Sequence, residues 1–79
     1  KMKVIACCTV WVEKEIEVDD RYTYLGKDWN DFTEEEKVFC DKDTYELHDE
    51  VLSILKEKLD FDTLESIRSE ETGEYMWED

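Results

Sequence analysis

The sequence predicts an α+β domain in the order β-β-α-α-β-β, a small antiparallel sheet with one long helix packed on one face. Three observations predict it. Residues 4–18 alternate with period two, residues 44–59 carry apolar side chains at helical spacing, and residues 66–77 read as two short runs around Gly73. Seventy-nine residues are too few for two independent cores, so residues 1–79 are read as one domain.

In the first segment Val4, Ala6, Cys8, Val10, Val12, Ile16 and Val18 form an even-numbered apolar series broken only by Lys14. Fifteen residues exceed the usual strand length of roughly 3 to 10, so a bend or turn is expected near Trp11 to Lys14, giving two antiparallel strands. Residues 19–32 have turn chemistry at Gly26, Asp28 and Asn30. They are read as a loop that packs Tyr22 or Tyr24, Trp29 and Phe32 against the core edge. Thr33 and Glu36 then have capping-box spacing, and acids fill the first turn of a short helix over about Glu34 to Cys40. Asp43 and Glu46 repeat that spacing and open a second helix, roughly Thr44 to Leu59, with Leu47, Val51, Ile54, Leu55 and Leu59 on its inner stripe. Ser66–Ser69 and Tyr75–Trp77 are the predicted strands of a final hairpin, with Gly73 at a positive-φ turn position.

Composition narrows the function classes. The chain holds 24 Asp+Glu against 10 Lys+Arg, a formal net charge of −14, and none of the acids precedes Glu13. Three Trp, four Tyr and three Phe argue for a folded body and against a solvating acidic tail. Charge of this size costs stability by self-repulsion, and a partner with a basic surface is the simplest reason to keep it. Direct nucleic-acid binding is disfavoured for want of a basic patch. No stretch approaches the roughly 20 apolar residues of a membrane span, and the apolar run ahead of Cys7 is too short for a secretion signal. Lys1 precedes Met2, which is expected as the natural start, and a soluble intracellular protein is expected.

The residues usual in catalysis are sparse. His48 is the one histidine and lies on the apolar stripe of the long helix, where a half-buried packing role is expected. No nucleophile elbow, phosphate loop or dinucleotide fingerprint occurs, and among 24 carboxylates spacing selects no acid–base pair. Catalysis is therefore not expected. Cys7, Cys8, Cys40 and His48 would make a legal zinc set, but neighbouring strand residues point to opposite faces and no C-x₂-C pair is present. Calcium loops fail as well. Glu46 and Leu52 stand at the glycine and final-Glu positions of one candidate, and Leu64 and Glu65 at the third-ligand and glycine positions of the other. No metal or other cofactor is expected, and the cysteines are read as reduced thiols. An exposed Cys7 or Cys8 and the edge strands would permit a homodimer, though a monomer is equally compatible.

Two acidic rows remain. Glu13, Glu15 and Glu17 would stand roughly 6 to 7 Å apart on one strand face and lead into Asp19 and Asp20. Asp28, Asp31, Glu34, Glu35 and Glu36 follow in the loop and helix start. Each piece alone is compatible with a solvated surface. Together, with few lysines interleaved, they are candidates for sites on a partner that evolved to hold phosphates. Trp11, on the odd face with the three glutamates, and Trp29, in the acidic loop, are the candidate anchors.

In size, acidity and α+β pattern the chain resembles phage-encoded nucleic-acid mimics: anti-CRISPR proteins, anti-restriction proteins and the uracil-DNA glycosylase inhibitor. "VEKEIEVDD" followed by "FTEEEK" is also similar to stretches of small acidic phage proteins. The likeness covers the whole chain in composition and carries over no residue roles. It implies stoichiometric inhibition of a CRISPR effector or other nuclease, without catalysis, in the cytoplasm of an infected bacterial host. The other class compatible with the charge is an acidic adaptor or sequestering domain for a basic partner with no nucleic-acid role.

Overall fold

A computed structural model describes Lys1–Asp79 as an α+β fold with a four-stranded antiparallel sheet and one long helix. Strand β1 is Met2–Cys7 and β2 is Glu13–Val18. Two 3₁₀ turns, Asp20–Gly26 and Trp29–Asp31, lead to helix α1, Glu34–Ile54. Strands β3, Ser66–Ser69, and β4, Tyr75–Glu78, close the chain, and the sheet order is β2-β1-β3-β4. The first strand therefore sits between its own hairpin partner and β3, with both edges of the sheet formed by other strands.

The alternation seen in the sequence decides the faces. Val4 and Ala6 of β1, Ile16 and Val18 of β2 and Ile67 of β3 are buried under the helix, which supplies Leu47, Val51 and Leu55. Tyr22 and Leu25 plug one end of this core, and Met76 of β4 completes it. The β1–β2 turn falls at Cys8–Val12, earlier than the expected Trp11–Lys14, because the register pairs Cys7 with Glu13 and Ala6 with Lys14. Lys14 then holds its ammonium over the Phe61 ring, 5.6 Å from the centroid.

The two expected helices are one, and the order is β-β-α-β-β. The capping box at Thr33 forms in both directions: Thr33 Oγ1 accepts the Glu36 N–H at 3.1 Å, and Glu36 Oε1 accepts the Thr33 N–H at 2.9 Å. The second box at Asp43 does not form. No Gly or Pro interrupts residues 34–59, and the Asp43 carboxylate is taken sideways by the Tyr24 hydroxyl and by Arg21, 3.5 Å away. A capping residue already engaged elsewhere gives the backbone no reason to break. The helix continues through a π turn, Leu55–Leu59, and stops at Asp60, which is left-handed at φ 59°.

The 20–26 turn runs antiparallel along the helix: Arg21 reaches Glu46 at 2.6 Å, Tyr24 meets Asp43, and Lys27 reaches Glu36 at 3.0 Å. Gly26 pins its far end to the β3–β4 hairpin. Its carbonyl accepts from Thr72 Oγ1 at 2.8 Å, and an added Cβ would stand 3.0 Å from that of Ser69. Gly73 takes the expected positive φ, 78°.

Candidate functional site

The strand row is real as geometry: Glu13, Glu15 and Glu17 are all exposed on the sheet face turned away from the helix. It is not bare as charge. Arg68 of β3 reaches across β1 to Glu13 at 2.6 Å, and Lys3 of β1 reaches Glu15 at 3.2 Å. The Arg68 guanidinium holds the Glu13 carboxyl below its ordinary range. Glu17, the third member, is the cross-strand neighbour of Lys3 but makes no ion pair with it, the Lys3 ammonium going to Glu15.

The other predicted carboxylates divide in the same way. Asp19 and Asp28 each cap a 3₁₀ turn, accepting the N–H of Arg21 at 2.8 Å and of Asn30 at 2.9 Å. Asp20 and Asp31 stand in the first turn of the helices they enter and are exposed. Glu34 lies 3.7 Å from Lys37. Glu36 is committed to the capping box and to Lys27, and these bonds, the Thr33 N–H first, lower its pKa. Glu35 is exposed and edges a shallow cleft with Tyr24, Phe39 and Asp43.

Position separates the two rows. Glu13, Glu15 and Glu17 lie on β2, one edge of the sheet, with Asp19 and Asp20 directly after it, whereas Trp29 and Phe32 border a depression with Tyr75 and Met76 of β4, the opposite edge. The acids of 13–20 and of 28–36 thus flank the domain on two sides. Trp29 is 54% exposed, rests on Phe32 with centroids 5.2 Å apart, and lies under the Lys37 ammonium.

Trp11 is not on the strand face. It sits at the tip of the Cys8–Val12 turn, left-handed at φ 64° and 85% exposed, next to Val10, left-handed at φ 62° and 78% exposed. Period-two reading placed Val10 inward and so missed it. The positive φ at both residues reverses the chain and throws both side chains into solvent. Tyr75 of β4 is 54% exposed and borders the same depression as Trp29.

The cysteines are free, and both Cys7 and Cys8 are buried, so the exposed thiol expected at one of them is absent. Burial raises the Cys8 and Cys40 thiols above their ordinary range. His48 packs on Trp77 with ring centroids 4.5 Å apart. No group of three or more His, Cys, Asp or Glu side chains is placed to hold a metal ion, and no helix is long and apolar enough to cross a membrane. In comparisons with known proteins, no family model, curated protein or solved structure matches the chain.

Proposed function

We infer that the protein is a stoichiometric binder of a basic, nucleic-acid-handling protein, acting as an inhibitor of the anti-CRISPR kind and not as an enzyme. One observation carries the reading. Only six of the 24 carboxylates stand within ion-pair distance of a Lys or Arg side chain, so a folded body presents most of its negative charge to solvent. Glu17, Asp28, Asp31 and Glu35 are exposed and outside every such pair. A surface of this sign attracts Lys and Arg sites from a distance, speeds encounter, and loses that advantage as salt screens it. Within the strand row Glu13 contributes least, because the Arg68 guanidinium already offsets it.

The test is competition. The protein is immobilised at low salt, exposed to a bacterial lysate, and the captured protein is eluted with DNA or RNA. The expected result is release of a nuclease or CRISPR effector by nucleic acid, with its cleavage activity titrated to zero at one equivalent of this chain. A captured protein that binds nucleic acid normally while attached would refute occlusion and point to an acidic adaptor, or to inhibition away from the channel. Once the partner is in hand, reversing Glu17, Asp28, Asp31 and Glu35 to Lys weakens binding far more than Glu13→Gln with Glu15→Gln.

A further inference from the structure

We propose that the Cys8–Val12 turn is a preorganised apolar plug, inserting Val10 and Trp11 into an apolar pocket rimmed by Lys and Arg on the partner protein. The proposal rests on the reading of the chain as a binder of a basic protein, and it names the part of the surface that the acidic rows do not include.

Backbone conformation is the first argument. Val10 (φ 62°, ψ 28°) and Trp11 (φ 64°) are consecutive left-handed residues. A β-branched residue there is an outlier, since its Cβ crowds the carbonyl. Left-handed positions in a turn are ordinarily filled by Gly or Asn, which adopt them with little strain. Here they carry two large apolar side chains. Exposure of 78% and 85% means that the fold gains almost no burial in return. Strain without an internal return points to a use outside the chain.

Rigidity is the second. The Cys8 N–H donates to the Val12 carbonyl at 2.7 Å and the Trp11 N–H to the Cys8 carbonyl at 3.2 Å. The Thr9 hydroxyl meets that of Thr63, tying the turn to the segment that follows the helix. Cys8, fully buried, anchors the base. A tip held this way loses little freedom on docking.

Charge names the occupant. Cys7 is paired with Glu13 on one side and Ser66 on the other, and Ser66 with Glu78. The Glu65 N–H donates to the Cys7 carbonyl at 2.8 Å and the Asp79 N–H to the Glu65 carbonyl at 2.9 Å. Glu13, Glu65, Glu78 and Asp79, all exposed, therefore collar the sheet end from which the tip projects, with two cations at that end, Arg68 beside Glu13 and Lys14 over the Phe61 ring. An acidic collar around an apolar tip complements a pocket that is apolar within and basic at its rim. It repels nucleic acid and anionic bilayers, and a net charge of −14 opposes a second copy of the chain.

Two measurements test this. The first needs no partner: Val10→Asn combined with Trp11→Gly removes the strain and raises Tm by about 4 °C or more. A lower Tm would mean that the two side chains support the fold, and would overturn the proposal. The second places a benzoylphenylalanine photocrosslinker at position 11, or at position 29, and irradiates each protein with the heparin-retained fraction of a bacterial lysate. The expected result is one salt-sensitive adduct from position 11, competed at least tenfold better by the native chain than by the Asn/Gly double variant. An adduct from position 29 alone, with both competitors equal, refutes the plug and leaves the basic-partner reading standing. An adduct of twice the chain mass makes the occupant a second copy and refutes it too. No adduct from either position, with nothing bound at low salt, removes the basic-partner reading and the plug together.

Discussion

Tyr24→Phe tests why the helix runs through the point at which the sequence expects it to break. The Tyr24 hydroxyl donates to the Asp43 carboxylate, and the ring packs edge-on against Phe32 with centroids 5.5 Å apart. Burial and the Asp43 carboxylate together push the phenol well above its ordinary range, so the bond exists as a neutral donor facing an anion throughout the working pH range. Charge-assisted hydrogen bonds contribute about 1.5 to 3 kcal/mol. The Tyr24 side chain is half-buried and that of Asp43 is 18% exposed, so solvent discounts this to about 1 to 2 kcal/mol. The ring and its packing survive in Phe, which isolates the hydroxyl. A 79-residue chain has an unfolding entropy of about 0.17 kcal/mol/K, so Tm falls by about 6 to 12 °C. Thermal and urea unfolding followed by circular dichroism, for Tyr24→Phe, Asp43→Asn and the double variant, give the coupling directly. Absorbance at 295 nm adds a check, because burial and the Asp43 carboxylate oppose ionisation of the Tyr24 phenol. A Tm change under about 2 °C, or additive effects of the two substitutions, would refute the account in which Asp43 is diverted from capping by its lateral partners.

Two further perturbations follow from the same geometry. Asp60→Gly relieves the left-handed stop after Leu59 and stabilises by about 0.5 to 1 kcal/mol, read as a higher urea midpoint at unchanged m-value; a lower midpoint would show that the aspartate side chain holds the stop. Glu13 and Glu36 have carboxyl pKa values depressed by folding, through Arg68 and through the Thr33 N–H with Lys27. Their contribution is complete above the unfolded glutamate range and lost as pH falls through the lower folded values, below about pH 4. Glu13→Gln and Glu36→Gln should each flatten the acid limb of a Tm–pH profile, and an unchanged limb would show that these bonds do not persist in solution.

How much of this was legible depended on whether the signal was local. The period-two run set the inward residues of β1 and β2, and the i, i+4 stripe through Leu47, Val51 and Leu55 set the buried helix face. Thr33 with Glu36, and Gly73, marked a helix start and a turn correctly because each satisfies its own backbone within a few residues. The break at Asp43 was misread since its lateral partners, Arg21 and Tyr24, lie about twenty residues away in the chain. Val10 was misplaced because alternation holds only while the chain stays extended, and two left-handed residues end it.

The acidic surface shows the same division. Sequence alone established that the domain carries −14, that its carboxylates begin at Glu13, and that Glu13, Glu15 and Glu17 share one face. Charge is a sum over residues and alternation is a property of neighbours, so neither needs the fold. Which carboxylates remain unpaired was decided only when β1 took its place between β2 and β3. That pairing lets Arg68 reach Glu13 from 55 residues away, sends the Lys3 ammonium to Glu15 and leaves Glu17 outside any ion pair, and gathers Glu65, Glu78 and Asp79 around the Val10–Trp11 tip. Strand order is set by burying one common apolar face beneath the helix, and the charges on the other face go wherever that burial carries them.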